Sequence, residues 1–428
     1  MSPFAPRSVR TVLPLLLAVS LAAAPSAGAQ DTIRTRARAL GIELPGTPGP
    51  LNAITDVPGV EVGHTTLVRG SGRLVRGQGP VRTGVTAILP RGRTGPDSVF
   101  AAWFALNGNG EMTGTTWITE SGVLEGPVLI TNTHSVGVVR DATIDWMVRN
   151  GRAPIFALPV VAETFDGPMN DDLGFHVRPE HAHAALDGAR GGAVPEGSVG
   201  GGTGMLCHFF KGGIGTSSRR VRVGGTDYTV GVLVQCNYGA RGSLRVDGVP
   251  VGREIRDLMP CMADGLRASR PWLAGVPPCE GGRPPAGGAP GDAGEAPSSR
   301  VEGMGSIIVV IATDAPLLPH QLRRIATRVS LGVGRMGGFG ENSSGDIFLA
   351  FSTANRGASV AEGTATLQML SNEEISPFFA ATVYATEEAI LNSMLAAETM
   401  TGADGFRAYA LPHRRLVEVM RRHHRIRE

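Results

Sequence analysis

GMGSIIVVIA, residues 303–312, decides how this chain is organised. From Ser306 onward the stretch is continuously apolar and rich in β-branched residues, which is typical of a strand buried on both faces. Such a strand needs neighbours on both sides, so the residues after it cannot form an independent domain. They must share one core with the residues before it.

Residues 276–300 (VPPCEGGRPPAGGAPGDAGEAPSSR), just upstream, have the opposite character. Gly, Pro and Ala dominate them and cannot bury enough surface to offset the entropy of ordering the segment. They predict a flexible linker that ends a few residues before Ser306. The linker therefore separates two parts of one domain rather than two domains.

Short apolar runs elsewhere predict strands, and Ala- and Leu-rich segments predict helices. The strands are expected at 85–89, 128–131, 155–161, 228–234, 307–312 and 347–351. The helices are expected at 142–148, 319–331 and 377–399. Because strands and helices do not strictly alternate, the pattern favours a layered α/β or α+β fold over a doubly wound sheet.

Composition excludes several classes of protein. The chain has 428 residues, 42% of them hydrophobic, with 60 Gly and 30 Pro, a share that stays below that of a low-complexity chain. The 40 Lys+Arg against 38 Asp+Glu leave a net charge of +2, whereas a domain that binds nucleic acid is usually strongly basic. We therefore expect a globular protein that does not bind nucleic acid.

Residues 1–29 have the pattern of a secretory signal peptide. Arg7 and Arg10 precede an apolar run over residues 12–24, and residues 27–29 (AGA) supply the small side chains of a cleavage site. The run is short for a membrane span, so an uncleaved anchor is the less favoured alternative, and no later run is long enough to span a membrane. We therefore expect a mature protein of residues 30–428, periplasmic or secreted, with no membrane attachment.

The four cysteines, Cys207, Cys236, Cys261 and Cys279, include no C-x-x-C pair, which excludes zinc ribbons. Cys207 and Cys236 lie in apolar runs and are expected as buried small hydrophobic side chains. The sequence does not decide whether Cys261 and Cys279 form a disulfide. The single lysine, Lys211, is followed by two glycines and is expected in a surface loop.

Three further motifs suggest ligand sites, but the residues around each of them argue against one. Residues 332–337 (GVGRMG) match the dinucleotide fingerprint but follow a predicted helix instead of a strand. Residues 200–204 (GGGTG) lack the Gly-Lys pair of a phosphate loop and indicate a tight turn. His176, His181 and His183 could bind a metal from a strand, but the neighbouring proline indicates a turn leading into a short helix. No metal or cofactor is expected.

The first candidate nucleophile is Ser135. Residues 133–137 (THSVG) follow an apolar strand and precede a helix, as the nucleophile elbow of an α/β-hydrolase does. Ser135 would then attack, with His320 or His413 as the base. The alternative is a turn in which Ser135 and Asn132 cap the following helix.

The second candidate is Ser306, because it begins an apolar strand where the linker ends. If the Gly305–Ser306 bond breaks, Ser306 carries a free α-amine beside its own hydroxyl. An amine with a pKa of about 8 can act as the general base of that hydroxyl. Glycine at 305 offers an uncrowded carbonyl to the attacking oxygen.

Seven sequence blocks stand in order from about Asn52 to the C-terminus. They are 52–64 (NAITDVPGVEVGH), 131–137 (TNTHSVG), 161–167 (VAETFDG), 197–204 (GSVGGGTG), 235–239 (QCNYG), 303–307 (GMGSI) and 344–346 (SGD). Together they resemble the DmpA-type aminopeptidases, the L-aminopeptidase/D-esterase and β-peptidyl aminopeptidase enzymes. The resemblance implies a four-layer α-β-β-α sandwich, like that of the N-terminal nucleophile hydrolases but differently connected. It also implies one catalytic domain that cuts itself into chains 30–305 and 306–428, and a homo-oligomer of these processed heterodimers.

The resemblance assigns roles to five residues. Ser306 is the nucleophile and the new N-terminus, and Asn237 is the amide that binds the oxyanion. Ser344 and Asp346 are the serine and carboxylate that organise the amine and its proton. As residues i and i+2 of a strand they would face the same side. Glu163 is the acid that binds the free amine of the substrate.

Phe165 departs from the family pattern, because the aminopeptidase/D-esterase type carries a tyrosine there and this chain loses its hydroxyl. The implied enzyme is an exported serine aminopeptidase that removes N-terminal residues from short peptides, amides or esters with a free amine. One alternative is an enzyme of the ornithine acetyltransferase type. That type uses a threonine nucleophile, so the serine at position 306 counts against it. Another is an uncleaved exported peptide-binding protein that uses the same Glu163 pocket.

Overall fold

The predicted strand at Ser306 lies inside a large sheet rather than at its edge. The structure, a computed structural model, describes residues 1, 35–95, 98–152, 156–263, 265–266, 269–280, 305–357 and 362–426. Residues 2–29 of the proposed signal peptide lie outside the described residues, as does the proposed linker beyond residue 280.

The described residues form strands and helices in irregular alternation. The strands are β1 (Glu61–Arg69), β2 (Val81–Leu89), β3 (Val99–Ala105), β4 (Val123–Leu124), β5 (Val128–Asn132), β6 (Val160–Thr164), β7 (Leu206–Cys207), β8 (Phe210–Lys211), β9 (Gly213–Val223), β10 (Thr226–Asn237), β11 (Cys261–Met262), β12 (Ser306–Thr313), β13 (Asp346–Ser352), β14 (Met400–Thr401) and β15 (Phe406–Ala408). The helices are α1 (Thr115–Ser121), α2 (Val136–Arg149), α3 (Pro179–Asp187), α4 (Val251–Glu254), α5 (Pro319–Arg335), α6 (Ser376–Leu395) and α7 (His413–Arg422).

Strand β12 is the strand that the sequence predicts to be buried on both faces. It lies in a six-stranded sheet of order β4-β3-β13-β12-β10-β9, antiparallel to β10 and parallel to β13. All of its residues are buried. One strand on each side, β10 and β13, pairs with the backbone N–H and carbonyl groups of β12, and other elements cover both of its faces. The strand is therefore buried on both faces, as its unbroken apolar run predicts.

A second sheet, of order β1-β2-β5-β6, packs against the first. Their facing side chains form one core that includes Ile308 and Val310 from β12 and Ile130 and Ala162 from the second sheet. Because side chains alternate along a strand, the intervening residues of each sheet point outward.

Helices cover the two outward faces and complete four layers. Ile307, Val309 and Ile311 pack in a core with residues of α5 and α6. On the other side, Val85 and Leu129 pack in a core with residues of α2 and α3. The α-β-β-α sandwich expected from the resemblance is therefore confirmed.

Several predicted boundaries move. The strand predicted at 155–161 begins only at Val160, directly after Pro159, because proline has no N–H to give to a ladder. The helix predicted at 377–399 ends at Leu395, since Met400 pairs with Ala408 in a small sheet. The proposed linker from residue 276 is tied to the fold at its start, where Met262 bridges to Pro278.

Cys207 and Cys236 are buried as predicted, but they are bonded to each other, and the prediction of a surface loop at Lys211 is wrong. Cys207 and Cys236 form a disulfide with Cα atoms 5.5 Å apart, since β7 folds back beside the end of β10. Cys261 and Cys279 form a second disulfide. Lys211 is fully buried in β8, and its ammonium donates to the carbonyl oxygens of Met205 and Gly212, each at 2.8 Å.

The glycine motifs take the places that the sequence indicates. Gly332 and Gly334 lie in the last turns of α5, where no dinucleotide loop can form. Residues Gly200–Gly202 form a tight 3₁₀ turn. A side chain at Gly201 would come within 2.6 Å of the Ile130 carbonyl oxygen, so this turn requires glycine.

Among the described residues, no helix combines the length and the apolar character needed to cross a bilayer.

A buried ion-pair cluster joins the two sides of the proposed cleavage point. The Glu388 carboxylate on α6 accepts hydrogen bonds from Arg219 (2.7 Å), Arg38 (3.0 Å) and Asn52 (2.6 Å). Burial alone would raise the pKa of Glu388, but these guanidinium groups and the Asn52 amide hold it below its usual value. The stability that the carboxylate contributes is thus present above its unfolded-state pKa and is lost as the pH falls through its folded-state pKa.

Replacing Glu388 by alanine is expected to cost about 3–5 kcal/mol of unfolding free energy, because the Arg219 guanidinium would stay buried without its counter-charge. Urea unfolding at neutral pH measures the loss. The control is Glu418→Ala, which removes an exposed pair with Arg414 and should cost less than about 1 kcal/mol. Equal midpoints for the two variants would contradict the prediction.

Candidate active site

Three neighbouring strands bring the predicted catalytic residues to one edge of the six-stranded sheet. Asn237 is the last residue of β10 and pairs directly with Ser306, the first residue of β12. Asp346 is the first residue of β13 and aligns with Ile307, next to the serine. These residues lie far apart in the sequence and are adjacent only because of this strand order.

The Ser306 hydroxyl is held by the backbone of the neighbouring strand. Its Oγ accepts a hydrogen bond from Gly345 N at 3.0 Å, and the residue is 6% exposed. Directly before it, a side chain at Gly305 would come within 2.2 Å of the Asn237 carbonyl oxygen. Glycine at 305 is therefore required by this close approach of two backbones, a reason that the sequence does not show.

Ser344 and Asp346 form a compact polar group with Asn107. Asn107 Nδ2 donates to Ser344 Oγ (2.6 Å), Asn107 Oδ1 accepts from Asp346 N (2.7 Å), and Ser344 Oγ lies 3.2 Å from Asp346 Oδ2. Ser344 precedes β13 and is turned inward by a bond from its N–H to the Glu341 carbonyl. The two side chains thus meet through a turn, and the expected strand alternation is not the reason.

Burial raises the pKa of Asp346 to about 6. The Ser344 hydroxyl opposes the rise, the Glu341 charge adds to it, and the Ile307 N–H and the Asn107 side chain oppose it. In the described part of the chain, the buried Oδ1 of Asp346 has no hydrogen-bond partner. A carboxylate with this pKa beside a hydroxyl can accept and return a proton near neutral pH.

The Asn237 side chain is fixed at both ends. Its Oδ1 accepts from Leu206 N at 2.8 Å, and its Nδ2 donates to the Phe165 carbonyl oxygen at 3.0 Å. It is 4% exposed. Because a side-chain amide has two N–H donors, one donor of this held group remains for a ligand beside Ser306.

Glu163 comes from the second sheet, on β6. Its Oε1 accepts from Glu111 N at 3.0 Å, and its Oε2 accepts from the Thr133 hydroxyl. A Cβ placed on Gly110 would lie 3.3 Å from Glu163 Oε1 and 3.1 Å from Gly345 Cα. The Glu163 carboxylate and the backbone that holds the Ser306 hydroxyl therefore flank the same stretch of chain.

The Glu163 side chain is a buried acid with partners that favour its charged form. Burial raises its pKa, while the Thr133 hydroxyl and the Glu111 N–H lower it. Glu111 adds a second negative charge nearby. Such a pocket suits an ammonium group, which would compensate the buried charge.

Phe165 places its ring at this site and its backbone against Asn237. The ring centroid lies 5.9 Å from that of Trp272 and 6.4 Å from that of His134. The position supplies a carbonyl acceptor and an aromatic surface, and no hydroxyl.

The structure separates the other candidate residues. In the described residues, no hydrogen bond joins Ser135 to a histidine, and His413 Nε2 instead bonds the Leu395 carbonyl oxygen. The capping alternative is also wrong, since neither Ser135 nor Asn132 makes a side-chain cap. Asn132 instead donates to the buried Asp166.

The three histidines form no metal site. His181 and His183 lie on helix α3, and His176 pairs with Asp171 at 2.8 Å. Within the described ranges, no group of three or more His, Cys, Asp or Glu side chains could hold a metal ion.

Sequence reasoning missed Asn107, Leu206, Thr133 and Trp272 as parts of the site. Thr133 lies in a quoted block, but its role appears only through the hydroxyl that it directs at Glu163. Asn107 and Trp272 lie outside every block. No local pattern marks them, since each reaches the site through strand order or a crossing loop.

The chain is similar to known peptidases over most of its length. The model of peptidase family S58 matches residues 52–408. The chain is 50% identical over 401 residues to the β-peptidyl aminopeptidase BapA of Sphingosinicella microcystinivorans, covering 94% of this chain and 95% of that one. The corresponding enzyme of Sphingosinicella xenopeptidilytica is 46% identical over 418 residues, covering 96% of each chain. The solved L-aminopeptidase D-Ala-esterase/amidase of Ochrobactrum anthropi, a serine aminopeptidase with a variant of the Ntn hydrolase fold, is 42% identical. It superposes with a TM-score of 0.78 over 92% of this chain and 99% of its own.

Proposed function

Because this chain belongs to peptidase family S58 and is a serine aminopeptidase, we propose that it matures by self-cleavage between Gly305 and Ser306 and acts through the new N-terminal serine. The single observation that carries the proposal is the position of Ser306, at the start of β12 between Asn237 and Asp346. We also propose that the enzyme is exported, on the pattern of residues 1–29, and that its processed heterodimers associate into a homo-oligomer. The family counts against the acetyltransferase and the peptide-binding protein, and the described residues show no hydrogen bond from Ser135 to a histidine, which counts against the Ser135 hydrolase.

Self-cleavage is an acyl shift followed by hydrolysis. The Ser306 Oγ attacks the Gly305 carbonyl carbon, the C–N bond breaks, and the hydroxyl proton ends on the leaving nitrogen. Water then cleaves the ester, which leaves a carboxylate on Gly305 and a free amine on Ser306. Ser344 and Asp346 support the proton transfers, since the pKa of Asp346, raised to about 6 by burial, lies close to neutral pH.

Peptide hydrolysis reuses the same atoms. The new α-amine takes the proton of Ser306 Oγ while the oxygen attacks the substrate carbonyl carbon, and the free Nδ2–H of Asn237 stabilises the developing oxyanion. The proton passes to the leaving amine as the peptide bond breaks. Water then releases the acyl group from Ser306.

We propose that Glu163 selects substrates with a free amine. Its carboxylate is buried and flanks the Gly345 backbone that holds the Ser306 hydroxyl. An ammonium paired with this carboxylate would lie on the same side of the site as the Ser306 hydroxyl, which suits removal of an N-terminal residue. The names of the two relatives support N-terminal β-amino residues as substrates.

The Glu163→Gln variant is expected to raise KM for free-amine substrates at least about tenfold, because an isosteric amide cannot pair with the ammonium. Burial raises the pKa of Glu163, so acidification protonates it and should raise the KM of the parent enzyme; the variant should lack this pH dependence. Steady-state kinetics across pH 5–8 test both points. The control is Glu120→Gln, which removes an exposed carboxylate on α1 and should leave KM and its pH dependence unchanged. An unchanged KM for Glu163→Gln would show that the amine binds elsewhere.

Denaturing mass spectrometry of the purified protein tests the proposed maturation. A fragment that spans residues 306–428 and begins at Ser306 is the expected result, and the mass of its partner reports whether residues 1–29 have been removed. A single intact chain with full activity would overturn the mechanism.

A further inference from the structure

The Cys207–Cys236 disulfide lies directly beside the Asn237 amide. Cys236 precedes Asn237 on β10, and Cys207 follows Leu206, whose N–H donates to Asn237 Oδ1 at 2.8 Å. The disulfide therefore joins the two backbone segments that make this hydrogen bond. Both cysteines are fully buried, so the bond is part of the core beneath the site.

The segment that supplies Leu206 has little regular structure of its own. Strand β7 has two residues and, within the described residues, pairs with β8 alone, as Leu206 with Lys211 and Cys207 with Phe210. The residues between them, His208 and Phe209, have φ angles of 49° and 57°, in the left-handed region that non-glycine residues seldom adopt. This hairpin needs support from outside to hold its shape.

The direction of the Asn237 amide depends on Leu206. With the Leu206 N–H at Oδ1, the amide must turn its Nδ2 donors toward Phe165 and the space beside Ser306. If Leu206 moves away, only the bond from Nδ2 to the Phe165 carbonyl oxygen still orients the amide, and half-turn rotations of the amide become more frequent. An oxygen would then face the developing oxyanion and repel it.

We propose that the Cys207–Cys236 disulfide positions Asn237 for catalysis by holding Leu206 against the end of β10. This inference rests on the oxyanion role of Asn237 proposed above. Cys207 and Cys236 are thus positioning residues, since they act through Leu206 and the Asn237 amide and touch no reacting atom.

The second disulfide provides a matched control. Cys261 and Cys279 are also close in sequence, with a separation of 18 residues against 29, and both bonds would lie within the proposed 30–305 chain. The Cys261–Cys279 bond fastens β11 to the residues after it, and among the described residues the hydrogen-bond partners of the Asn237 amide are Leu206 and Phe165 rather than this pair.

The experiment compares Cys207→Ala/Cys236→Ala with Cys261→Ala/Cys279→Ala, both assayed as processed protein. The first pair is expected to lower kcat roughly tenfold with KM unchanged within about threefold, since only oxyanion stabilisation is weakened. The control pair should change kcat less than about twofold.

If the alanine pair is insoluble, Cys207→Ser/Cys236→Ser replaces it. Mass spectrometry under non-reducing conditions establishes the disulfide in the parent, and free thiols there would overturn the inference.

A double-mutant cycle separates this inference from the proposed function. In an Asn237→Ala background, loss of the Cys207–Cys236 bond should cost less than about twofold in kcat, because the group that it positions is gone. A full tenfold loss in that background would mean that the bond acts by another route. If Asn237→Ala alone keeps its kcat, the oxyanion role fails. If Asn237→Ala is impaired while the bridge variant keeps its kcat, only the positioning inference fails.

Discussion

Replacing Ser306 by alanine is expected to leave the chain uncut and to abolish hydrolysis. The variant lacks the only oxygen that could attack the Gly305 carbonyl from the adjacent residue, so no free amine forms at position 306. The same oxygen is the proposed nucleophile toward substrates. Both activities should therefore fall to background together.

Denaturing mass spectrometry and a peptidase assay on the same preparation measure the two losses. The matched control is Ser135→Ala, which removes the other candidate nucleophile and should be processed and active. A Ser306→Ala protein that is cut and active would remove the basis of the mechanism. It would also return Ser135 to consideration.

Replacing Asn237 by alanine is expected to lower kcat roughly a hundredfold, in line with the loss of one oxyanion donor. The effect on KM should be small, because the donor acts on charge that develops only in the transition state. The loss of two buried hydrogen bonds, to Leu206 and to Phe165, adds a stability cost of about 1–3 kcal/mol.

A second buried asparagine separates the catalytic effect from the structural one. Asn392 on α6 also accepts from a backbone N–H, that of Ala37, and donates to a backbone carbonyl, that of Thr216. Asn392→Ala should thus lose similar stability and keep its kcat. A kcat loss below about threefold for Asn237→Ala would contradict the oxyanion role.

The sequence predicted strands β2, β5, β10, β12 and β13 from their apolar runs, but it predicted no strand at β1, β3 or β9. The unbroken apolar run after Ser306 required cover on both faces, and the structure provides it with α5 and α6 on one side and the second sheet on the other. The irregular order of strands and helices correctly excluded a doubly wound sheet. Boundaries moved where a proline or a short cross-strand pair intervened, as at Pro159 and Met400.

The sequence predicted the site less completely. The motif blocks named the residues that meet at the sheet edge, but not the contacts that orient them. Lys211 and the Cys207–Cys236 pair show the reason. An apolar or glycine-rich neighbourhood does not tell whether a short hairpin folds inward, so a lysine expected at the surface is buried and bonded to carbonyl oxygens.

Local properties of this protein could be inferred from the sequence alone: its most apolar strands and the blocks that identify the family. Only the tertiary structure decided which distant residues touch. Asn107 reaches Asp346 and Leu206 reaches Asn237 because of sheet order and register. The physical reason is that periodicity reports which face of an element is buried, and it carries no information about what lies opposite. The orientation of the Asn237 amide depends on such a contact, and so does the chemistry proposed for this site.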